Sequence, residues 1–209
     1  MYSKDKELRF AFEDKTSPHH LIMPFVADES RVLDVGCNVG YIGEYLVKHK
    51  GCICDGIDNN KEFLKRALES GYRSTYNIDL YSDAFSIKRK YDYILFIDIL
   101  EHLPNPHKIL QKIAKENLRD TGKVIVCLPN IGRFEHRLSH LFGRFNYAVS
   151  GVMSQDHLRF YTKDSGIELI RASGLRIKDI LTTGLNVKVK LFPTLTAFQF
   201  IYICEQVPN

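Results

Sequence analysis

The segment 31–43, Arg-Val-Leu-Asp-Val-Gly-Cys-Asn-Val-Gly-Tyr-Ile-Gly, is the feature that most constrains the fold of this chain. Its first part predicts a short buried strand, and an apolar pattern at helical spacing begins at Tyr41. Gly36 and Gly40 carry no Cβ and let the backbone approach a ligand, while Asn38 between them tolerates positive φ. The segment therefore predicts a strand that turns into a helix with its N–H groups facing a ligand, although an ordinary tight turn has the same pattern.

Strands and helices continue to alternate after this turn. The pattern predicts strands at 51–57, 72–78, 93–97, 123–128, 175–182 and 196–205. It predicts helices that begin near Ser17, Asn59, Asn105 and Thr162. This alternation favours an α/β fold with a doubly wound, mainly parallel sheet. Ligands bind at the carboxyl ends of the strands in such sheets.

Acidic residues recur where the predicted strands end. They are Asp34, Asp58, Asp79 and Asp98. An acid after the second strand accepts hydrogen bonds from ribose hydroxyls, so the pattern suits an adenosine cofactor; strand-end turns also favour Asp. The dinucleotide pattern G-x-G-x-x-G fails, because its second and third glycines are replaced by Asn38 and Tyr41. The chain also lacks G-x-x-x-x-G-K-[ST], which excludes a phosphate-binding P-loop.

Composition limits the classes of protein that remain. With 209 residues and 44% hydrophobic content, we expect one globular domain that spans residues 1–209. The net charge of +4 is spread along the chain, so we expect neither DNA nor RNA as a partner. The charged N-terminus and the lack of a long apolar run predict a cytoplasmic protein without a transmembrane segment. The five cysteines are expected to be reduced thiols in the core.

Five motifs together resemble class I S-adenosylmethionine-dependent methyltransferases in order and spacing. They are Val-Leu-Asp-Val-Gly-Cys-Asn-Val-Gly at 32–40, Gly-Ile-Asp at 56–58, Asn-Ile-Asp-Leu at 77–80, the run at 91–106 and Gly-Lys-Val-Ile-Val-Cys-Leu-Pro-Asn at 122–130. The resemblance covers residues 15–205. Within this class, the Glu-His-Leu-Pro-x-Pro segment resembles ubiquinone-biosynthesis O-methyltransferases. The segments 142–147 and 157–162 are similar to bacterial methyltransferases associated with cell-surface glycan assembly.

This resemblance implies a Rossmann-like, seven-stranded sheet with an antiparallel last strand, S-adenosylmethionine as the cofactor, and a substrate lid at 130–160. It assigns Asp58 to the ribose hydroxyls and Asp79 to the adenine amino group, while Asp34 orients the cofactor's amino group or supports the turn. The residues implied at the cofactor are Asp34, Gly36, Cys37, Asn38, Gly40, Asp58, Asn59, Asp79, Leu80, Asp98, Ile99 and Leu100. A histidine before the first strand, His19 or His20, is expected to close over the cofactor.

The residues predicted to carry the chemistry follow the fourth strand. If a helical turn begins there, Asp98, Glu101 and His102 share one face at i, i+3 and i+4. With His157, they can hold a divalent metal beside the methyl acceptor, an arrangement that resembles small-RNA 2′-O-methyltransferases. Alternatively, His102 is a general base without metal, or Glu101 and His102 only brace the loop before Pro104. The candidate catalytic residues are therefore His102, Glu101 and His157.

The predicted lid is rich in basic and aromatic residues. Its arginines could bind phosphate or carboxylate groups, or belong to an ordinary solvated helix; they are Arg133, Arg137, Arg144 and Arg159. A basic loop with Lys188 and Lys190 is expected beside it. We expect O-methylation of a small-molecule or glycan/lipid-linked hydroxyl. The alternatives are an N- or C-methyltransferase on a natural-product scaffold, and a catalytically inactive S-adenosylmethionine-binding partner subunit.

Overall fold

The computed structural model describes residues 12–184 and 191–207, and the strands of this part form one seven-stranded sheet. The strands are β1 (Arg31–Val35), β2 (Ile53–Asp58), β3 (Ser74–Asn77), β4 (Tyr91–Ile97), β5 (Leu118–Pro129), β6 (Leu175–Thr182) and β7 (Gln199–Gln206). The helices are α1 (Pro18–Ile22), α2 (Tyr41–Lys50), α3 (Lys61–Glu69), α4 (Pro106–Asn117), α5 (Phe134–Leu141), α6 (Lys163–Ala172) and α7 (Pro193–Thr196). Short 3-10 turns span Met23–Phe25 and Leu100–His102.

The strand order is β3-β2-β1-β4-β5-β7-β6. Strands β1 to β5 pair in parallel, whereas β7 runs antiparallel to both β5 and β6. The predicted Rossmann-like sheet with an antiparallel last strand is therefore confirmed. From β1 the chain continues to β2 and β3 on one side of the sheet and then returns to place β4 and β5 on the other side of β1. A crevice for ligands forms at the carboxyl ends of β1 and β4, where this direction reverses.

Both faces of the sheet are covered, as the continuous apolar sequence of β4 predicts. Ile94 and Phe96 of β4 are fully buried in one core, together with residues of α4 and α6. Leu95 and Ile97 point to the other core, which also contains residues of α1, α2 and α3. Because side chains alternate along a strand, a buried run of this kind requires helices on both faces.

Several element boundaries differ from the sequence-based predictions. Strand β3 is shorter than expected, because Tyr72 lies before it and packs in the core. Strand β5 begins at Leu118, which already pairs with Tyr91 of β4. The predicted N-cap Asn59 is wrong by one residue, since the Asn60 side chain accepts hydrogen bonds from the first turn of α3.

The predicted caps Ser17 and Thr162 are confirmed, whereas Asn105 precedes α4 without a capping hydrogen bond to its side chain. The Ser17 side chain accepts from the His20 amide at the start of α1, and Thr162 forms a capping box with Ser165 at the start of α6. Strand β7 begins at Gln199 rather than at residue 196, because α7 occupies the preceding residues. The predicted lysines of the basic loop, Lys188 and Lys190, lie outside the described residues.

All five cysteines are buried and unpaired, as expected from the sequence; they are Cys37, Cys52, Cys54, Cys127 and Cys204. Among residues 12–184 and 191–207, no helix has the length and apolar character that crossing a membrane requires.

The Tyr72 ring fills a space that glycines provide between α2, α3 and the sheet. A Cβ on Gly43 would lie 2.2 Å from the ring, and a Cβ on Gly40 would lie 2.9 Å from it. On the sheet side, a Cβ on Gly56 would lie 2.6 Å from Cys37 Sγ. Real Cβ contacts this short do not occur, so α2 can approach β2 only because these positions lack side chains.

Gly43→Ala is expected to lower the free energy of unfolding by about 3 kcal/mol, because the new methyl group would overlap a fully packed ring. Gly174→Ala is the matched control, since a Cβ there meets nothing within 4 Å and is opposed only by its φ of +76°. We expect this control to lose about 1 kcal/mol. Urea unfolding followed by circular dichroism measures both, and equal losses would contradict this packing.

Candidate functional site

The turn after β1 has the left-handed backbone that its sequence predicts. The φ angles are +78° at Gly36, +49° at Asn38 and +89° at Gly40. The amides of Gly36 and Cys37 both donate to the carbonyl of Ile57, at 2.8 and 2.9 Å. The positive φ expected at Asn38 is therefore confirmed, and the turn is tied to the end of β2.

Asp58, the last residue of β2, holds this turn from the other side. One carboxylate oxygen accepts from the Asn38 amide and the other accepts from the Asn60 amide, each at 2.9 Å. A carboxylate offers about four acceptor positions, so both oxygens retain capacity for a ligand. Asp58 is only partly buried and faces a cavity.

This smaller cavity has a volume of about 170 Å³ and lies at the carboxyl ends of the first strands. Its lining includes six residues predicted for the cofactor: Gly36, Asp58, Asn59, Asp79, Leu80 and Ile99. Within it, Asp79 Oδ1 accepts from the Tyr81 amide at 2.9 Å. Sequence reasoning missed Ile78 and Tyr81, which also line the cavity. The available signal was Tyr81, an aromatic residue two positions after Asp79.

Other predicted cofactor residues lie behind the turn instead. The buried Asp34 carboxylate accepts from the Tyr72 hydroxyl at 2.6 Å, and that hydroxyl accepts from the Gly43 amide at 3.0 Å. These are contacts of the supporting kind expected for Asp34. Burial raises the pKa of Asp34 from its usual 3.8 to about 6, although the hydrogen bond from Tyr72 lowers it. Leu100 is fully buried in the core.

The histidines before β1 contact Phe12 rather than the smaller cavity. His20 Nδ1 lies 2.9 Å from the carbonyl of Phe12, and His20 does not line that cavity. His19 contacts the Phe12 ring edge-on, and burial lowers the pKa of His19 to about 4. The predicted closure of His19 or His20 over the cofactor is not seen in these contacts.

A larger cavity of about 750 Å³ lies next to the first. Its lining comes from five parts of the chain: residues 14–18, residues 98–101 after β4, the segment 129–157, residues 183–184 after β6 and the start of β7. Asp98, Glu101 and His157 face it. The contribution of residues 14–18 could not be predicted, because only tertiary folding brings α1 to this edge.

Asp98, predicted as a metal ligand, does not join Glu101, His102 and His157. Its φ is +51°, and the 3-10 turn begins only at Leu100, so the predicted helical face shared with Glu101 and His102 is wrong. Asp98 Oδ1 instead accepts from Gln199 Nε2 at 2.6 Å. Burial raises the pKa of Asp98 to about 6, while the bond from Gln199 lowers it. The left-handed φ turns the chain away before a helix can form.

Glu101, His102 and His157 do come together. One ligand atom from each lies within 4.8 Å of the others, and His157 Nε2 is 4.0 Å from Glu101 Oε1. The two imidazole rings meet edge-on with their centroids 4.8 Å apart. Because Glu101 and His157 line the larger cavity and His102 lines the smaller one, the cluster stands where the two cavities adjoin.

The environment of Glu101 and His157 favours their neutral forms. Glu101 is fully buried, and neither carboxylate oxygen has a hydrogen-bond partner within the described residues. Burial, reinforced by Asp98, raises the pKa of Glu101 well above its usual value. Burial also lowers the pKa of His157. A neutral imidazole can accept a proton or bind a cation, and Glu101 can do either once its carboxyl group is ionised.

The predicted lid contributes one arginine to the larger cavity. Arg133 lies over the Phe198 ring at 3.4 Å and pairs with Glu135, and all three residues line this cavity. Arg137 and Arg159 donate to backbone carbonyls, of Gly132 and Pro104 respectively. Arg144 is exposed, and α5 has no buried residue. The four arginines therefore do not converge on one anion site.

Comparisons with known proteins agree with this geometry. Residues 16–190 match the model of a family described as "Methionine biosynthesis protein MetW". The chain is 27% identical to the ubiquinone biosynthesis O-methyltransferase of Aeromonas salmonicida over 183 residues, which cover 80% of this chain and 76% of the relative. The enzyme of the same name from Coxiella burnetii is 28% identical over 188 residues, 82% of this chain and 77% of the relative.

Solved structures show the same fold. The methyltransferase in a complex with the Trm112 methyltransferase activator of Haloferax volcanii superposes with a TM-score of 0.68 and 18% identity, covering 98% of this chain and 94% of that one. A possible histamine N-methyltransferase from Thermotoga maritima has a TM-score of 0.68 and 13% identity, covering 98% of this chain and 95% of that one.

Asp34→Asn tests the buried carboxylate behind the turn. The folded chain keeps the Asp34 proton up to a pKa of about 6, whereas the unfolded chain loses it near 3.8, so this group's contribution to stability falls as pH rises between these values. The variant does not titrate there. Its free energy of unfolding, relative to the natural chain, should therefore rise by up to about 3 kcal/mol from pH 4 to pH 6.5.

Urea unfolding at a series of pH values without cofactor measures this difference. Gly174→Ala changes no titratable group and provides the pH-independent reference. A difference between Asp34→Asn and the natural chain that stays constant across this range would contradict a raised pKa at Asp34.

Proposed function

The chain belongs to the MetW family and is an S-adenosylmethionine-dependent methyltransferase, and we propose that it methylates a hydroxyl oxygen of a small-molecule or glycan- or lipid-linked acceptor. The methyl donor is implied by the family. The acceptor oxygen is inferred from the chemistry of the cluster at the junction of the two cavities.

The buried, unpaired carboxyl group of Glu101, with the imidazoles of His102 and His157 beside it, is the observation that carries this proposal. A neutral hydroxyl is a weak nucleophile and has to lose its proton during methyl transfer, whereas a neutral amine already has a free electron pair. An oxygen acceptor therefore needs a proton acceptor or a cation beside it, and this cluster can provide either.

The residues of the smaller cavity fit the nucleoside part of S-adenosylmethionine. Asp58 and Asp79 keep acceptor positions that suit ribose hydroxyls and an adenine amino group. A Cβ on Gly36 would lie 2.8 Å from Ile99, so the close approach of the turn to this residue depends on glycine. The bound cofactor would supply an electrophilic methyl group on a positively charged sulfur. The chain's own task is to align an acceptor with that methyl group and to remove the acceptor's proton.

The larger cavity is the proposed acceptor site. Its volume of about 750 Å³ is within the range of small-molecule sites, and Glu101 and His157 lie in its wall. Arg133 and His136 give this cavity polar groups on the lid side. The name O-methyltransferase carried by relatives that are 27% and 28% identical supports oxygen as the accepting atom.

An N-methyltransferase is the second candidate, because the Thermotoga maritima protein of the same fold is a possible histamine N-methyltransferase. A panel of hydroxyl and amine acceptors separates the two proposals when methylated products are identified by mass spectrometry. We expect products methylated at oxygen. Products methylated only at nitrogen would overturn the proposal, and cofactor binding without turnover of any acceptor would favour the alternative of a partner subunit.

Asp58→Asn is expected to weaken S-adenosylmethionine binding by about tenfold or more, because a hydrogen bond to a charged group contributes about 1.5–3 kcal/mol. Isothermal titration calorimetry measures the affinity. Asp83→Asn is the matched control, since Asp83 is exposed and lines neither cavity, and its affinity should equal that of the natural chain. Equal affinities for all three proteins would show that Asp58 does not contact the cofactor.

A further inference from the structure

We propose that Glu101, His102 and His157 form a binding site for a divalent transition-metal ion. Their ligand atoms lie within 4.8 Å of one another, which allows one ion to contact all three after small side-chain movements. The cluster combines a carboxylate with two imidazoles from separate parts of the chain. Two further observations, one on the imidazoles and one on the carboxylate, point to a cation.

Both imidazoles are oriented as metal-binding histidines usually are. His102 Nδ1 lies 3.0 Å from the carbonyl of Asp156, and His157 Nδ1 lies 3.0 Å from the carbonyl of Val152. A carbonyl oxygen can only accept, so each Nδ1 carries a proton, and in the neutral tautomer this leaves the electron pair on Nε2. A backbone carbonyl on the remote nitrogen fixes the tautomer and ring orientation of a metal ligand in the same way.

The Glu101 carboxylate lacks the partners that the other buried acids of the described residues have. Asp55 is equally buried and is bound by Arg73, Arg89 and the Tyr91 hydroxyl. The Asp34 carboxylate accepts from the Tyr72 hydroxyl. Glu101 is 0% exposed, and neither of its oxygens has a hydrogen-bond partner among the described residues. An unpaired buried carboxylate is costly, and a cation beside the two Nε2 atoms would remove this cost.

The ligand set selects the class of ion. Two imidazole nitrogens suit zinc, iron, cobalt or nickel, whereas magnesium and calcium prefer oxygen ligands. With Asp98 held by Gln199, the protein supplies three ligands and leaves positions for other groups. If the proposed oxygen acceptor is correct, its hydroxyl can occupy one of these positions and lose its proton more easily. Binding of the ion itself does not rest on that function.

Cobalt(II) titration of purified, chelator-treated protein without a histidine tag tests this site. Visible absorption reports the ion's ligands, so the natural chain should bind one Co²⁺ with bands of nitrogen and oxygen coordination. Glu101→Gln and His157→Asn should each weaken binding by about tenfold or more, since removing a second-shell partner alone costs that much. An excess of Mg²⁺ should not displace the Co²⁺.

His140→Asn is the matched control, because His140 is an exposed histidine of α5 outside the cluster, and it should bind Co²⁺ like the natural chain. Circular dichroism establishes that each variant is folded. The proposal is overturned if no stoichiometric band forms, if Glu101→Gln and His157→Asn titrate like His140→Asn, or if a strong near-ultraviolet band places the ion on a cysteine. The titration contains neither cofactor nor acceptor, so its failure is distinct from a failure of the proposed methylation.

Discussion

The Tyr72 hydroxyl makes the contact on which the ligand-binding edge of this sheet depends. It joins the buried carboxylate of Asp34 in β1 to the amide of Gly43 in α2, at 2.6 and 3.0 Å. Loss of this hydroxyl would leave a buried acceptor and a buried donor unpaired, which costs about 1–3 kcal/mol for each. The glycine turn is therefore held by a side chain outside it, and its own residues remain free to face a ligand.

At the end of β4, in contrast, side chains rather than backbone groups face the cavities. Asp98 adopts a left-handed backbone and is fixed by Gln199, which belongs to the antiparallel strand β7. The 3-10 turn that follows places Glu101 in the wall of the larger cavity without a hydrogen-bond partner among the described residues. The last strand of the sheet thus helps to fix Asp98, the residue that precedes the turn carrying Glu101 and His102.

The sequence predicts the framework of this molecule well and its site only in part. The left-handed turn at Asn38, the fully buried β4 and the sheet with an antiparallel last strand follow from local residue preferences and from hydrophobic patterning. The strand predicted from Tyr72 starts later, since tertiary packing against glycines outweighs the β preference of tyrosine. Neighbouring asparagines made the cap of α3 ambiguous by one residue.

The grouping of Glu101, His102 and His157 could be expected from their residue types, and the structure brings them together. Two features had no local signal. The positive φ of Asp98 is unusual for a residue other than glycine and depends on its contact with a strand about one hundred residues away. The placement of residues 14–18 against the larger cavity likewise depends on how α1 docks onto the sheet.

The 3-10 turn at Leu100–His102 separates the larger cavity from the smaller one. Glu101 faces the larger one and His102 faces the smaller one, while Leu100 anchors the turn in the core. A ligand in one cavity that displaces this turn changes the shape of the other cavity as well. Thermodynamic linkage then requires the effect to be mutual, with each ligand changing the affinity of the other by the same factor. Coupling between ligands of the two cavities would then need no domain movement, only the displacement of this one backbone turn.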